Sequence, residues 1–430
     1  DAKPTGPEPA EPAAAADKDA DDKGDGDKPA ATPAVGYTTW HWLQDKPHSA
    51  YLVMVAVGQF DTVNVSPKEG PLSTLSMPVY GPPGSGATLD KLFANTPKMV
   101  EFFAQQLDEP YPWDKYAQVI VRNFRWVWME NTPATVLGEF SSRGGEGSQD
   151  SLIAHELAHQ WFGNLVTCKS WEHLWLNEGW ATYAEALWTE HTKGRAPYMR
   201  EVRGWASALR MSSTTWAPKA AGMATNRWTN PDGIFTQADN PYTRGAVILH
   251  MLREKLGAEA FWKGTRAYLE KYKFDNVETD DFRKELEIAS GEGLEQFFAQ
   301  WVRRPNMPSV EFTAVYDQAA RVLTLGASQT QAINGDNPAW DLVLPVEITD
   351  AADNKKMVSI TFDAQSNQVQ LKDIDRPARV MADPNVTILA RMKSTVDLGD
   401  KGSKSDESDN PKGKGEPKPV SDDKPDMDGK

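Results

Sequence analysis

Cysteine is nearly absent. Among 430 residues only Cys168 carries a thiol, so no disulfide can form within the chain. Cys168 sits in a Val-Thr-Cys-Lys run and reads as a small buried residue. Long apolar runs are absent too: no stretch reaches the 18 residues of a membrane-crossing helix. Basic residues are outnumbered, 46 Lys and Arg against 61 Asp and Glu, for a net charge of −15. No basic patch stands out, which argues against a nucleic-acid partner. Aromatic residues are missing from both ends. Residues 1–35 hold nine acids and four lysines, and residues 397–430 hold ten acids and seven lysines. Such segments cannot bury enough apolar surface to fold, so a disordered acidic linker over 1–35 and a disordered charged tail over 393–430 are expected. No initiator Met and no signal peptide appear, and Asp1 reads as a cut end. The compartment stays open.

What is present is ample for packed cores. The chain is 40% hydrophobic and 10% aromatic, and its length suits two or three domains. Its chemistry concentrates between Asp150 and Glu185. His155-Glu156-Leu157-Ala158-His159 places two histidines four residues apart, on one face of a helix. Two neutral imidazoles so placed can hold a zinc ion, and the intervening Glu156 can act as a base on a water. Ser148 and Asp150 are the expected N-cap candidates, and Gly163-Asn164 the expected stop. Glu178, on a second predicted helix (LWLNEGWATYAEAL), supplies a third ligand. Two His and one Glu leave a fourth position open, the pattern of a catalytic rather than a structural zinc. His-Glu-x-x-His arises by chance in roughly one percent of chains this long.

HELAHQWFGNLVT followed by WLNEGWATYAE resembles the zinc aminopeptidases related to aminopeptidase N and leukotriene hydrolase, the gluzincins. The resemblance implies a multidomain α+β fold. A mainly helical, thermolysin-like zinc peptidase domain is followed by a small β-sandwich. It implies one zinc ion held by His155, His159 and Glu178, with Glu156 as general base. Met129-Glu130-Asn131 matches the family's Gly-x-Met-Glu-Asn signature on an edge strand. There Glu130 would bind the substrate's free α-amine, flanked by Met129 and Asn131. Tyr242, two residues before Arg244-Gly245, matches the tyrosine that steadies the transition state. One departure falls at Val127-Trp128, because the family's Gly lies at Val127. Trp128 is expected to narrow the first side-chain pocket.

Along the chain, residues 36–76 resemble remnant strands of an N-terminal β domain, with AYLVMVAVGQF expected as a strand. Most of that domain is missing from the sequence, and in a longer parent chain it would be a partner. His41 and His48 read as surface or packing histidines. Residues 77–305 form the expected catalytic domain. TLDKLFANTPKMVEFFAQQL reads as a helix that Pro97 can restart. YAQVIV reads as a strand, and residues 141–149 as a glycine-rich loop. Trp205, Trp216 and Trp228 are expected core residues. A helix should begin after Tyr242, carrying His250 and Met251 as packing residues, and helical periodicity continues to 304. From 306 to 392 alternation at period two predicts the β-sandwich: SVEFTAVYD, RVLTLGASQTQ, LVLPVEITD, KMVSITFDA and QVQLKDI. No segment resembles the large helical fourth domain of many members.

The resemblance thus implies a zinc aminopeptidase that removes the N-terminal residue of peptides with a zinc-activated water. Two alternatives stay open. A zinc endopeptidase shares the same motif without an amine anchor. A non-catalytic scaffold would fit Val127-Trp128 and the missing N-terminal domain.

Overall fold

The computed structural model describes residues 39, 41–125, 127–139, 145–212, 221–227, 240–362 and 365–399. The tails at 1–35 and 400–430, Trp216, Trp228 and residues 141–144 of the glycine-rich loop lie outside them. The chain divides into two compact units. One runs to Met307 and takes in Asn385–Ala390, and the other holds Pro308–Pro384 and the chain from Arg391.

In the first unit a five-stranded sheet is built from β1 (Asp61–Asn64), β2 (Pro78–Gly81), β3 (Ala117–Val121), β4 (Trp128–Met129) and β5 (Ala134–Gly138). Its order is β1-β2-β3-β5-β4, with β3 parallel to both β2 and β5. The first four residues of β3 are all buried, as expected of a central parallel strand covered on both faces. The edge position falls to β4, which among the described residues pairs antiparallel with β5 and no other strand.

Between β2 and β3 lie α1 (Gly86–Leu92) and α2 (Thr96–Leu107). The expected single helix is therefore two, and Pro97 stands in the first turn of the second, where its missing N–H costs nothing. The next helices are α3 (Asp150–Ala158), α4 (Trp175–Lys193), α5 (Arg195–Ser212), α6 (Thr243–Tyr272, interrupted by a kink at Gly257, φ 77°) and α7 (Thr279–Ser290). A short strand, β6 (Val166–Cys168), follows α3 and pairs in parallel with β7 (Asp275–Val277). Large rings fill the space between the helices: Phe162 stacks on Trp180 at 4.2 Å, and Trp180 meets Phe261 and Phe282 at 5.7 Å each. Trp205 on α5 is half-buried, Met251 buried and His41 exposed, and His48 Nδ1 meets the Lys46 carbonyl.

Two contacts fix α6 against its neighbours. A Cβ on Gly245 would meet Gly179 Cα at 2.7 Å, so α4 and α6 cross backbone to backbone at this glycine pair. Gly179 directly follows Glu178, and Gly245 lies three residues after Tyr242. The crossing therefore sets those two side chains next to each other. Arg244, fully buried, spends its guanidinium on main-chain carbonyls, donating to Trp301 at 3.1 Å, Asn306 at 2.9 Å and Arg304 at 3.4 Å. A buried cation with this many acceptors locks the start of α6 to the end of the unit.

AYLVMVAVGQF is not the expected strand. Ala50–Leu52 form a single 3-10 turn, and the first strand begins only at Asp61. Val53, Val55 and Val57 are 63%, 84% and 91% exposed. High β-propensity is not enough without a neighbouring strand to complete the ladder. Nor do residues 39–76 stand apart, since β1 joins the same sheet as β2 and β3.

The second unit has two sheets. One has the order β12-β9-β8-β14, from β8 (Ser309–Asp317), β9 (Val322–Gln329), β12 (Ser366–Lys372) and β14 (Arg391–Asp397). The other has the order β11-β10-β13, from β10 (Leu342–Thr349), β11 (Lys355–Phe362) and β13 (Arg379–Ala382). Burial alternates along β8 and β9, and Phe312, Leu323, Leu325, Leu344 and Ile360 are fully buried, the pattern of a two-sheet sandwich. Residues 393–397, expected in the tail, belong to β14, which pairs in parallel with β8. Most of its residues are exposed, so its sequence lacks the apolar alternation that marks a strand.

Candidate active site

Helix α3 is built differently at its ends from the expectation. Gln149, not Ser148 or Asp150, is the N-cap residue, and its side chain makes no capping hydrogen bond to the described residues of the helix. Asp150 lies in the first turn, where its charge favours the helix dipole. Its carboxylate accepts from Asn95 Nδ2 at 3.1 Å and Trp188 Nε1 at 3.2 Å, so it is committed to neighbouring elements. At the other end the helix proper stops at Ala158 rather than at Gly163-Asn164, and His159 is the C-cap. The chain then turns tightly through Gly163, whose φ of 122° suits glycine alone. A Cβ there would lie 3.2 Å from His159 Nδ1.

That turn brings the Phe162 carbonyl to His159 Nδ1 at 2.9 Å. His155 Nδ1 faces Glu185 Oε1 at 3.0 Å, and Ser151 Oγ donates to the other oxygen of the same carboxylate. With an acceptor opposite each Nδ1, the neutral form of each imidazole carries its proton there and keeps a lone pair on Nε2. Both Nε2 atoms point at Glu178 Oε2, at 3.4 Å from His155 and 3.2 Å from His159. All three ligand-type atoms lie within 4.8 Å of one another. Three lone pairs converging in a buried place repel unless a cation lies between them. The ligand-to-ligand edge of a tetrahedron with zinc-type bonds is about 3.3 Å, which these separations fit.

The electrostatics demand positive charge. Burial works against protonating either imidazole, yet Glu178 and Glu185 hold His155 above its usual range, and Glu130 and Glu178 lift His159 to about 9. Burial likewise opposes the Glu178 charge, but His159 and His155 hold that carboxyl down to about 2. Glu156 behaves in the opposite way. Burial pushes its carboxyl up to about 8, with the histidines lowering it and Glu130 and Glu178 adding to the rise. Its Oε2 is buried and has no hydrogen-bond partner among the described residues.

Tyr242 stands at the head of α6, its ring stacked on His155 at 6.2 Å with the planes 12° apart. Burial, followed by the nearby Glu178 carboxylate, holds its phenol well above the usual range and so protonated. It is a hydrogen-bond donor beside the converging ligands.

Glu130 follows β4 and is buried. Gln160 Nε2 at 3.2 Å and Asn164 Nδ2 at 2.8 Å donate to its carbonyl, tying its backbone to the turn after α3. Asn131 is buried and donates to the Leu52 carbonyl at 3.1 Å. Met129 pairs opposite Val136 and Trp128 opposite Leu137, both half-buried. Val127 has φ 70°, a left-handed conformation that a β-branched residue adopts only under strain. Its carbonyl accepts from Gly138 N at 2.8 Å, which holds the strand in that shape. Val127→Gly should therefore stabilise the chain by about 1 kcal/mol, the relieved strain outweighing the added backbone entropy. A thermal melt should rise by about 2 °C; a fall would show that Val127 is unstrained.

The sequence reading missed Tyr51, Glu185 and Asn177. Tyr51 lay in a segment expected to be a plain strand. Glu185 lies about two turns beyond Glu178 on α4, and a carboxylate seven residues after an expected ligand on the same helix was a usable signal. Cys168 is buried, with its thiol pushed up to about 12 by burial and by Glu178 and Glu130, so it is an inert packing residue.

Residues 92–301 match the Peptidase family M1 domain. Aminopeptidase M1-A of Oryza sativa subsp. japonica is 32% identical over 284 residues, covering 63% of this chain and 31% of the rice protein. Aminopeptidase N of Streptomyces lividans is 30% identical over 289 residues, covering 63% of this chain and 33% of its own. Glutamyl aminopeptidase of Sus scrofa is 28% identical over 346 residues, covering 78% and 36%. The chain thus spans about a third of the length of these curated relatives. Among solved structures, Legionella pneumophila aminopeptidase A in complex with aspartic acid superposes with a TM-score of 0.67 at 18% identity, over 84% of this chain and 41% of that one. That likeness establishes a shared mixed α+β fold. No helix among the described residues is long and apolar enough to cross a membrane.

Proposed function

We propose that the chain, whose residues 92–301 match the Peptidase family M1 domain, is a zinc aminopeptidase of that family, releasing the N-terminal residue of peptides that carry a free amine. One observation carries this reading: His155 Nε2, His159 Nε2 and Glu178 Oε2 converge on one point while each Nδ1 is engaged elsewhere. These three residues would hold one zinc ion. When bound, zinc supplies a Lewis acid for the scissile carbonyl and lowers the pKa of water toward ~7.

The protein's own groups do the rest. Glu156 accepts a proton at its unpartnered Oε2 and returns it to the leaving amine. Tyr242 donates its phenol proton in a hydrogen bond to the developing oxyanion. Glu130, with Met129 and Asn131 beside it, takes the substrate ammonium in a charge-assisted bond, so the enzyme counts one residue from the chain end. The outer edge of β4 would align a peptide backbone. On this reading the unit that runs to Met307 is the thermolysin-like catalytic domain and the unit that holds β8 to β14 the following β-sandwich, and the exposed segment after Leu52 would face an N-terminal β domain in a longer parent.

The test is a panel of aminoacyl fluorogenic substrates, each free and N-acetylated. Acetylation should lower kcat/KM by at least about a hundredfold, because it removes a charge-assisted bond and leaves a buried carboxylate unpaired. Equal cleavage of both forms would indicate an endopeptidase. Zinc binding without cleavage of either would indicate a scaffold, the outcome that Val127-Trp128 would then explain.

A further inference from the structure

We propose that Tyr51 is a positioning residue for the amine anchor. Its hydroxyl holds the Glu130 carboxylate in place and so sets how tightly a free N-terminus binds. The inference rests on the reading of Glu130 as that anchor.

The backbone of Glu130 is already fixed through its carbonyl, but its side chain has three torsions of its own. Tyr51 Oη donates to Glu130 Oε1 at 3.3 Å, and this is the hydrogen bond that reaches the carboxylate among the described residues. Tyr51 is itself held on three sides. Asn177 Nδ2 donates to its hydroxyl at 3.4 Å, and the same Asn177 accepts Cys168 N at 3.3 Å. Trp171 packs edge-on to its ring at 5.3 Å. The turn that carries it is tied down by Asn131 Nδ2 on the Leu52 carbonyl, at 3.1 Å.

Asn177 immediately precedes Glu178 on α4. The line Asn177–Tyr51–Glu130 therefore joins the helix that bears a metal ligand to the residue that would bind the amine. Burial, followed by the Glu130 charge, keeps the Tyr51 phenol protonated and therefore a donor. Tyr51 lies upstream of the matched segment 92–301, so the site extends into a part of the chain where no motif pointed.

A Glu side chain left free has to be ordered when the ammonium arrives, and that cost falls on binding. The later proton transfers do not involve Tyr51. Its loss should therefore appear in KM and leave kcat within about two-fold.

The experiment compares wild type, Tyr51→Phe, Glu130→Ala and the double variant, all zinc-loaded, on a free-amine leucyl substrate and its N-acetylated form, with a thermal melt of each. Tyr51→Phe should raise KM for the free-amine substrate roughly three- to ten-fold and leave the acetylated one unchanged. On the Glu130→Ala background the same substitution should add nothing. An unchanged KM in Tyr51→Phe, a further loss in the double variant, or an equal fall in kcat on both substrates would overturn the proposal. If wild type does not prefer the free amine, the anchor reading fails and this inference falls with it. Preference in wild type with no effect of Tyr51→Phe sinks this inference alone.

Discussion

Glu156→Gln should keep its zinc and lose about two to four orders of magnitude in kcat/KM. Glutamine preserves the shape of the side chain and its hydrogen-bonding edge, but it cannot take up a proton. The surroundings explain why this residue is suited to the task. It is buried on α3 between the two histidines in sequence, yet its Oε2 has no partner among the described residues. A buried carboxylate oxygen without a donor is costly, and such atoms persist where a substrate or water completes them. Zinc content by elemental analysis and turnover of a free-amine substrate separate the roles. Lost zinc would make Glu156 a ligand, and retained turnover would remove it as the base.

Glu178→Ala should abolish tight zinc binding and turnover together. Glu178 Oε2 is the point on which both imidazoles converge, and the imidazoles hold its carboxyl down to about 2, so it is ionised at any working pH. A graded comparison sharpens the test. Glu185→Ala removes only the acceptor that orients His155, and should cost about 10- to 100-fold in zinc affinity. Glu178→Ala should cost more than that in the same competition against a chelator. Equal losses would make the two carboxylates equivalent and remove Glu178 from its special place.

Much of the proposed centre was legible because its chemistry is local. Histidines four apart on a helix share a face whatever the tertiary structure, and a glutamate on the next helix is the natural third donor. Met129-Glu130-Asn131 and Tyr242 could be placed only through the family resemblance, since no local periodicity marks an amine anchor or a phenol beside a metal. What stayed hidden depends on contacts distant in sequence. The Asp150 carboxylate turns to Asn95 and Trp188 instead of capping its own helix. Among the described residues the valines after Leu52 belong to no strand, and they stand exposed. Arg391–Asp397 becomes a strand because β8 offers it an edge, which no alternation in its own sequence announces. Tyr51 joins the site through Glu130, 79 residues later.

The most direct test is anomalous diffraction from crystals of the zinc-loaded chain, recorded on both sides of the zinc absorption edge. A single strong peak should lie between His155 Nε2, His159 Nε2 and Glu178 Oε2. No peak at that point, or a stronger one elsewhere, would contradict the proposed centre.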